Sequence, residues 1–440
     1  MRFCLAAGLV LWAWGAAAGP VTLTTDQMYA FGTEALARGY GDQALGIAEA
    51  LLVRDAADGA AMTLKAQALR LKGDLAGSEA AARAAWAEAK DGPARYVAAT
   101  ALAQALSLQD HRSRAQYWLR QAVQNAPNGA ARSQAVQDYD YVRGQNPVNL
   151  QFSGSVRPSD NVNGGGKVAF IQLGPFILPL PSTLLALPGT SWALGLSGQY
   201  RLSDDGQTQN ALTFDANVQG AVLSDAGHAK APVLSNDDFL YRQVQLGWRH
   251  RAALSFGRLT TDASLSHTWY ADHDLADSLT GEVALNHPLG PDFNLHLAGN
   301  LTRQVRLDNV AASSTTLGVE ASLARTLAKG DLIEARVDLA RVRSADVGTD
   351  RREVGLAVSW QAGQAVAGLG LGAELSARYS LYANKREDRR FAAGLTATVN
   401  RITYLGFSPV VSLDVAHNGS SVPWFTSDTM AVGLSLKSRF

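Results

Sequence analysis

From about Leu150 onward, apolar and polar residues alternate along the chain with a period of two. In one segment Leu212 and Phe214 share one phase, and Thr213 and Asp215 share the other. We count fourteen such segments, separated by turn-forming clusters. An even number of two-faced strands predicts an up-and-down antiparallel β-barrel of the outer membrane, with the start of the first strand and the end of the last strand on the same side of the membrane.

The polar phase of these strands carries charged and amide side chains at regular intervals. They are Glu282, Asn286, Asn294, His296, Asn300, Glu320, Glu334, Arg336, Asp338, Glu374, Arg378, Asn400 and Asp414. An Arg or Lys side chain facing lipid at the bilayer midplane costs about 2 to 4 kcal/mol, so this phase must line a polar interior. A soluble β-sandwich would also show period-two strands, but it does not explain paired faces along all fourteen.

The last strand of the predicted barrel alternates in the same way and ends in an aromatic residue. Val432, Leu434, Leu436 and Phe440 form its apolar phase. In a closed barrel the final strand pairs with the first and removes the open edge. We therefore expect a Gram-negative outer-membrane protein that contacts outer-membrane lipid and is inserted by periplasmic chaperones and the barrel-assembly machinery.

Residues 24–145 have a different pattern, rich in the helix formers Ala, Leu, Gln, Arg and Glu. Similar blocks contain Gly39 and Gly73, which are 34 residues apart, and a weaker third copy spans 101–122. This is the period of tetratricopeptide (TPR) helix pairs, in which small residues allow close helix packing. The pattern predicts a short TPR-like array in the periplasm, and a plain helical bundle is the alternative.

The composition changes at Asn146-Pro147, where we expect the domain boundary. The predicted organisation is a signal peptide over 1–18, a helical repeat domain over 24–145 and a barrel domain over 147–440.

The beginning of the chain has the layout of a secretory signal peptide. Arg2 precedes an apolar run from Cys4 to Trp14, and small residues that include Ala16 and Ala18 follow. A retained membrane anchor is the alternative, but a spanning helix needs roughly 20 apolar residues. Cleavage near Ala18 would leave a mature chain without cysteine.

Charge and motifs exclude several functional classes. The chain has 39 basic and 39 acidic residues, so we expect no nucleic-acid partner. The eight histidines show no metal-ligand spacing, and His267 and Ser266 point to opposite faces of a strand. Gly164–Gly166 lacks the Lys and helix of a phosphate loop and predicts a flexible loop. We therefore expect no enzyme activity, no metal and no cofactor.

An apolar stretch with four prolines occupies 168–188, between the first two predicted strands. Its candidate contact residues are Phe170, Phe176, Ile177, Leu184 and Leu185. An apolar patch of this kind is costly in water. The stretch could fold into the lumen as a plug, dip into lipid, or hold the acyl chains of a client protein.

A short helical repeat array joined through Asn-Pro to a fourteen-strand barrel resembles the surface lipoprotein assembly modifier (Slam) family. The sharpest part of the resemblance is the opening strand and its Pro-x-x-Asn-hydrophobic-Asn motif, carried by Asn146, Pro147, Pro158, Asn161 and Asn163. The last hairpin, 406–440, is also similar. The resemblance implies a barrel that delivers particular lipoproteins or unlipidated proteins to the cell surface, with the repeats engaging client or chaperone.

Two readings of the motif remain open. Proline fixes φ and Asn side chains bond nearby backbone, so the motif either shapes a turn or makes a functional contact at the barrel mouth. The chain departs from the family in its degenerate third repeat and its apolar first loop. Alternative functions are a substrate-selective porin and an exopolysaccharide-secretion barrel, which also joins TPR repeats to a barrel.

Overall fold

The computed structural model describes residues 22–173 and 176–438. The chain divides into two compact units between Ala135 and Val136, inside the seventh helix. Each unit is described by itself. The predicted signal peptide, 1–18, and Phe440 lie outside the described residues.

The first unit consists of antiparallel helix pairs. The helices are α1 Thr25–Ala37, α2 Gly41–Arg54, α3 Gly59–Leu71, α4 Leu75–Glu88, α5 Gly92–Leu108, α6 Arg112–Asn125 and α7 Gly129–Gln145. Aspartates cap three of them, because a carboxylate oxygen accepts hydrogen bonds from the free N–H groups of a first helical turn. Asp58 also accepts a hydrogen bond from the Tyr29 hydroxyl, which fixes α1 against the start of α3.

Small side chains hold the helices close together. The core is mainly alanine with a few large aliphatic residues, of which Leu51, Leu102, Leu106 and Leu119 are at most 2% exposed. A Cβ atom on Gly32 would lie 2.5 Å from Leu64 Cδ2, so α1 and α3 could not approach with a larger residue there. The fold therefore confirms TPR-like packing.

No described helix has both the length and the hydropathy that a membrane crossing requires.

The glycines that revealed the repeat act in turns rather than in packing. Gly39 and Gly73 have φ values of +80° and +83°, and a Cβ atom on either would meet nothing within 4 Å. Each ends the first helix of a pair in the left-handed region that glycine tolerates best. The third pair has Asp110, with φ of 61°, at this position. The third copy is degenerate because aspartate replaces the turn glycine.

The second unit is a closed barrel of fourteen antiparallel strands, as predicted. Its strands are β1 Val148–Ser159, β4 Gly189–Asp204, β5 Thr208–Leu223, β6 Tyr241–Leu254, β7 Gly257–Tyr270, β8 His273–Pro288, β9 Phe293–Arg306, β10 Ser314–Thr326, β11 Leu332–Ser344, β12 Arg351–Gln361, β13 Leu369–Tyr382, β14 Glu387–Val399, β15 Phe407–Ser420 and β16 Ser427–Ser438. Neighbours along the chain are neighbours in the barrel, and β1 pairs with β16. The hairpin of β2 Phe170–Leu173 and β3 Phe176–Pro179 lies in the first connection.

The two faces of the barrel wall differ as the period-two pattern predicted. Rows of apolar side chains cross neighbouring strands on the outer face, for example Leu246, Leu265 and Leu279, which are exposed and in register. The inner face holds ion pairs such as Arg249–Asp262 and Arg378–Asp338, at 2.6 and 3.1 Å. An apolar outer face and a polar interior are what a barrel in lipid requires.

The two ends of the barrel carry connections of different length. We call the end where β1 begins the proximal end and the opposite end the distal end. Proximal connections are short, such as 205–207 and 255–256, whereas 160–188 and 224–240 at the distal end are long. The long connections pack on each other through Leu187, which is buried with Leu223 and Ala231. Outer-membrane barrels have short periplasmic turns and longer extracellular loops, so these lengths are the ones expected of a barrel whose distal end faces outward.

The turn positions of the helical unit give a first test. We expect Gly39→Ala and Gly73→Ala each to lower the free energy of unfolding by about 1 kcal/mol, because a Cβ atom is unfavourable at positive φ. Asp110→Gly at the equivalent turn should cost no stability. Thermal unfolding of the helical signal in circular dichroism measures all three. A loss in Asp110→Gly equal to that of the alanine variants would contradict the equivalence of the three turns.

Candidate functional site

The junction between the first and last strands, which we call the seam, is the shortest pairing in the barrel wall. Among the described residues β1 and β16 pair at three positions, Ser155 with Ser435, Val156 with Leu434 and Ser159 with Ala431. On its other edge β1 pairs with β4 at twelve positions, and β16 pairs with β15 at twelve. The barrel is therefore closed by its weakest ladder.

Pro158 interrupts the seam from within. The Asp160 N–H donates to Met430 O at 3.2 Å, so the even-numbered amide positions of β1 face β16. Pro158 shares this direction and lies opposite Val432 in the register, but proline has no N–H to donate. The missing hydrogen bond accounts for the gap between Val156 and Ser159 in the pairing.

An ion pair inside the lumen spans the seam. Arg157 Nη2 on β1 lies 2.8 Å from Asp414 Oδ2 on β15, so the arginine crosses over the last strand. It crosses at Gly433, where a Cβ atom would lie 3.3 Å from Arg157 Cγ and 2.3 Å from Ser412 Oγ. Both charged side chains are about 40% exposed, with 43% and 39% of their surface accessible, so the pair is a weak and reversible clasp.

The two asparagines of the Pro-x-x-Asn-hydrophobic-Asn motif fix the chain where it leaves the seam. Asn161 is 5% exposed, and its Nδ2 donates to Gly165 O and Asp428 O, both at 2.9 Å, while its Oδ1 accepts from Gly165 N–H at 2.8 Å. Asn163 accepts from Leu187 N–H at 3.0 Å and donates to Leu185 O at 2.8 Å. Asn161 therefore ties β1 to β16, and Asn163 organises the first connection.

A second group of charges closes the distal end of the seam. Asp160 Oδ1 accepts from Met430 N–H at 2.8 Å. Lys167 Nζ lies 2.5 Å from Asp428 Oδ2, and His417 Nδ1 lies 2.6 Å from Asp428 Oδ1. A hydrogen bond to Asp428 and the charge of that carboxylate raise the pKa of Lys167 above its ordinary value. Side chains thus replace backbone pairing at this end.

The glycines beside this group are packed, which corrects the prediction of a flexible loop. A Cβ atom on Gly165 would lie 2.2 Å from Leu185 O, and one on Gly166 would lie 2.4 Å from Trp424 O. Both glycines are buried. They allow the first connection to run against the β15–β16 connection, so Gly165 and Gly166 serve close backbone approach.

The seam has a different surface on each side. A lumenal groove of about 750 Å³ beside it is lined by charges of both signs, including Glu334, Glu374, Arg390 and Lys437. The lipid-facing groove across the proximal half of the seam has a volume of about 500 Å³. It is lined by Phe152, Leu194, Leu196, Val218, Phe407 and Leu436. The seam is therefore charged on its lumenal side and apolar on its lipid-facing side.

The terminal-strand residues lie where the sequence placed them. Val432, Leu434 and Leu436 are exposed on the outer face of β16, with 48%, 54% and 59% of their surface accessible. Phe440 lies outside the described residues. At the other end of β1, Asn146 Oδ1 accepts from Val148 N–H at 3.1 Å, and Pro147 O accepts from Arg201 N–H at 2.8 Å. Asn146 and Pro147 therefore lie immediately before the first strand and are hydrogen-bonded to it and to β4.

The candidate client loop forms the β2–β3 hairpin. Phe170, Phe176 and Ile177 are 58%, 68% and 69% exposed, so most of the surface of each side chain is accessible. Leu184 is exposed and Leu185 is half-buried at the base. The base is held at the seam, because the N–H of Lys167 donates to Thr426 O at 2.8 Å. The structure thus places an apolar hairpin beside the distal end of the seam.

The helical unit has a groove of its own. Residues of α1, α3 and α5 line a concavity of about 610 Å³ that includes Tyr29, Thr33, Gln67 and Val97. Burial, and then the hydrogen bond to Asp58, raises the pKa of Tyr29, so its hydroxyl remains neutral in this groove. The lining is mostly small and neutral, which fits the balanced charge of the repeats.

His267 lies on the outer face of the barrel, away from Ser266. Its ring nitrogens lie 2.6 Å from Asp277 Oδ1 and 3.1 Å from Asp274 Oδ1, and its ring packs edge-on against Trp269 at 4.2 Å between centroids. Within residues 22–173 and 176–438, no three His, Cys, Asp or Glu side chains are placed to hold a metal ion.

Sequence reasoning located the two strands of the seam but missed what holds them. Arg157 and Asp414 are 257 positions apart, and Asp428 is 267 positions from Asn161. A period-two pattern assigns each residue to a face, but it does not give the register between the first and last strands. The one available signal in the sequence was Pro158, which lies inside a strand and is followed by Asp160 and Asn161. Proline within a sheet is typical of an edge strand.

No protein-family model matches the chain, and no curated protein matches its sequence. Two barrels are among the similar solved structures. OmpTdeltaL8, a loop L8 deletion mutant of an outer membrane protein of Vibrio cholerae, is 12% identical, with a TM-score of 0.34 over 66% of this chain and 99% of that chain. A bacterial polysaccharide outer membrane secretin is 8% identical, with a TM-score of 0.36 over 66% and 98%.

The helical unit has separate likenesses. The first TPR domain of the human RPAP3 protein is 14% identical, with a TM-score of 0.25 over 28% of this chain and 94% of that chain. At such identities and TM-scores, none of these likenesses carries an argument about function.

Asn161 gives a test of the seam. We expect Asn161→Ala to lower the stability of the folded barrel by about 1 to 3 kcal/mol, because buried backbone groups of Gly165 and Asp428 lose their partners. Asn309→Ala, in an exposed distal connection, is the matched control and should have no effect. The temperature at which the folded band disappears in gel electrophoresis measures both. Equal temperatures for the two variants would refute the role of Asn161.

Pro158 gives a second test, of opposite sign. Pro158→Ala restores a donor facing Val432 and should raise barrel stability by about 0.5 to 1.5 kcal/mol, the net value of a hydrogen bond. Pro409→Ala on β15 also adds an N–H, but next to the β14–β15 junction, which is already paired at eleven positions. It should change stability less. A Pro158→Ala barrel no more stable than the natural protein would mean that the seam is not the weak junction.

Proposed function

We propose that this protein is an outer-membrane translocon or assembly factor that delivers particular lipoproteins or secreted proteins to the cell surface. Its helical repeats would lie in the periplasm and engage the client or a chaperone that carries it. The observation that supports this most is the seam, where the described residues of β1 and β16 pair at three positions and the neighbouring junctions pair at twelve. A passive pore does not need its first and last strands to separate, so a weak seam serves no purpose in it. A barrel that opens sideways between these two strands needs a weak seam.

The energetics of opening favour this junction over the others. A backbone hydrogen bond contributes about 0.5 to 1.5 kcal/mol net, so separating three paired positions costs far less than separating twelve. The ion pair of Arg157 with Asp414 adds little, because both partners are partly exposed. A strand of the client could then pair with a freed edge of β1 or β16, since exposed edges readily accept an added strand.

The two faces of the seam fit the two parts of a lipidated client. The charged lumenal groove, with Glu334, Glu374 and Arg390, would keep a polypeptide hydrated. The apolar groove across the proximal half, with Phe152 and Leu436, would accept acyl chains. A client crossing at the seam would therefore keep its chain in a polar space and its lipid in an apolar one.

The exposed β2–β3 hairpin would meet the client as it leaves. Its residues Phe170, Phe176 and Ile177 are exposed, and its base is held beside the distal end of the seam. The remaining proposed partners are outer-membrane lipid, periplasmic chaperones and the barrel-assembly machinery. No enzyme activity is proposed.

A cysteine cross-link tests whether the seam must open. Ser155 and Ser435 are partners across the seam, and Val410 pairs with the same Ser435 on β15. Ser155→Cys with Ser435→Cys should lock the seam when oxidised, and Val410→Cys with Ser435→Cys is the matched control. Proteins labelled at the cell surface would be compared among these strains, the natural strain and a deletion strain.

We expect the deletion strain and the oxidised seam variant to lose the same small set of surface proteins, and reductant to restore them in the seam variant. The control should display the full set. Full display with a locked seam would overturn the proposal of lateral opening. An unchanged surface proteome in the deletion strain, with lost solute uptake or lost surface polysaccharide, would instead support the porin or the exopolysaccharide-secretion barrel.

A further inference from the structure

Seven arginines of the barrel strands share a phase with the lipid-facing apolar residues, and six of them lie at the distal end. The six are Arg242, Arg303, Arg341, Arg343, Arg352 and Arg389. At the proximal end Arg325 alone, among the described strand residues, has this position. Positive charge on the outer surface is thus concentrated at the level of one leaflet.

Four of these residues form a compact group, which we call the arginine patch: Arg303, Arg341, Arg343 and Arg352. Arg303 and Arg343 both pair with Thr315, from either side, so they lie in one row across β9, β10 and β11. Arg341 and Arg352 are directly opposite each other on β11 and β12. Like charges directly opposite in an antiparallel pair are destabilising. Four positive charges therefore lie close together on this part of the outer face.

The protein neutralises little of this charge. Arg341 Nη1 lies 2.7 Å from Asp350 Oδ1, and Arg303 Nη1 donates to the neutral Thr315 Oγ1 at 3.1 Å. In the part of the chain that the structure describes, Arg303, Arg343 and Arg352 form no ion pair, and all three are exposed. An excess of three positive charges faces outward.

The patch stands directly above an apolar surface. Leu301, Leu317, Leu339 and Val354, nearer the middle of the same four strands, are 54%, 58%, 46% and 43% exposed. These residues would meet acyl chains. An outward arginine costs about 0 to 1 kcal/mol near the interface, and its long stem carries the guanidinium to headgroup level.

We propose that the arginine patch binds the phosphate groups of a phosphorylated, multiply acylated lipid of the outer leaflet. Guanidinium groups bind phosphate in bidentate fashion, and a phosphate beside Arg343 and Arg352 would neutralise charges that Asp350 leaves unpaired. The acyl chains of the same lipid would pack on the apolar surface below. This lipid site lies on β9 to β12, apart from the seam, and does not depend on the proposed delivery function.

Binding of lipid A tests the proposal. The full-length barrel in neutral detergent would be titrated with lipid A, with dephosphorylated lipid A and with inorganic phosphate. We expect lipid A to bind at least tenfold more tightly than its dephosphorylated form, and millimolar inorganic phosphate not to displace it. Arg303→Gln, Arg343→Gln and Arg352→Gln combined should lower lipid A affinity at least tenfold.

Arg325→Gln, on the same outer face at the proximal end, is the matched control and should bind lipid A as the natural protein does. A triple lysine variant at the three patch positions keeps the charge and should retain part of the affinity, which separates loss of the site from loss of folding. Equal affinity for the phosphorylated and dephosphorylated lipids would overturn the proposal. So would a triple glutamine variant that binds normally, or displacement of lipid A by free phosphate, which would identify a site for the ion alone.

Discussion

The closure of the barrel between its first and last strands is the constraint on which the rest of the structure depends. In lipid every backbone N–H and C=O must find a partner within the protein, so a sheet can cross a membrane only if its edges meet. Among the described residues they meet at three paired positions, interrupted by Pro158. The lumenal clasp of Arg157, the buried Asn161 and the salt bridge of Lys167 are all side-chain substitutes for the missing ladder.

The arrangement of these substitutes divides the seam into two halves. Side chains bind the distal half, where Asp160, Asn161 and Lys167 all reach β16. The apolar lipid-facing groove crosses the proximal half, near Gly154 and Leu436. Opening would therefore begin at the proximal end, next to the start of β1, and the distal contacts would act as the hinge. Such a geometry would free a strand edge first at the proximal end.

The sequence allowed much of this to be predicted, because a period of two assigns every strand residue to lipid or lumen. The fourteen strands, the closing pair and the helical array followed from pattern alone. The pattern did not give distances between strands far apart in sequence. It therefore missed the pairing of Arg157 with Asp414, the like-charged contact of Arg341 with Arg352, and the close approach that requires Gly165. The pattern revealed the spacing of Gly39 and Gly73 but not the reason for these glycines. A glycine required by a positive φ and a glycine required by close packing look identical in a sequence.

Amide hydrogen exchange along β16 tests the weak seam most directly, because this one strand contains its own reference. Backbone amides alternate in direction along a strand, and Met430 faces β1, because its carbonyl accepts from the Asp160 N–H. The amides of Val432 and Leu434 therefore also face β1, and those of Gly433 and Ser435 face β15. The account predicts that Val432 and Leu434 exchange much faster than Gly433 and Ser435 in the folded barrel. Equal protection of the two sets of amides would contradict the account, because the seam would then be as stable as the β15–β16 junction.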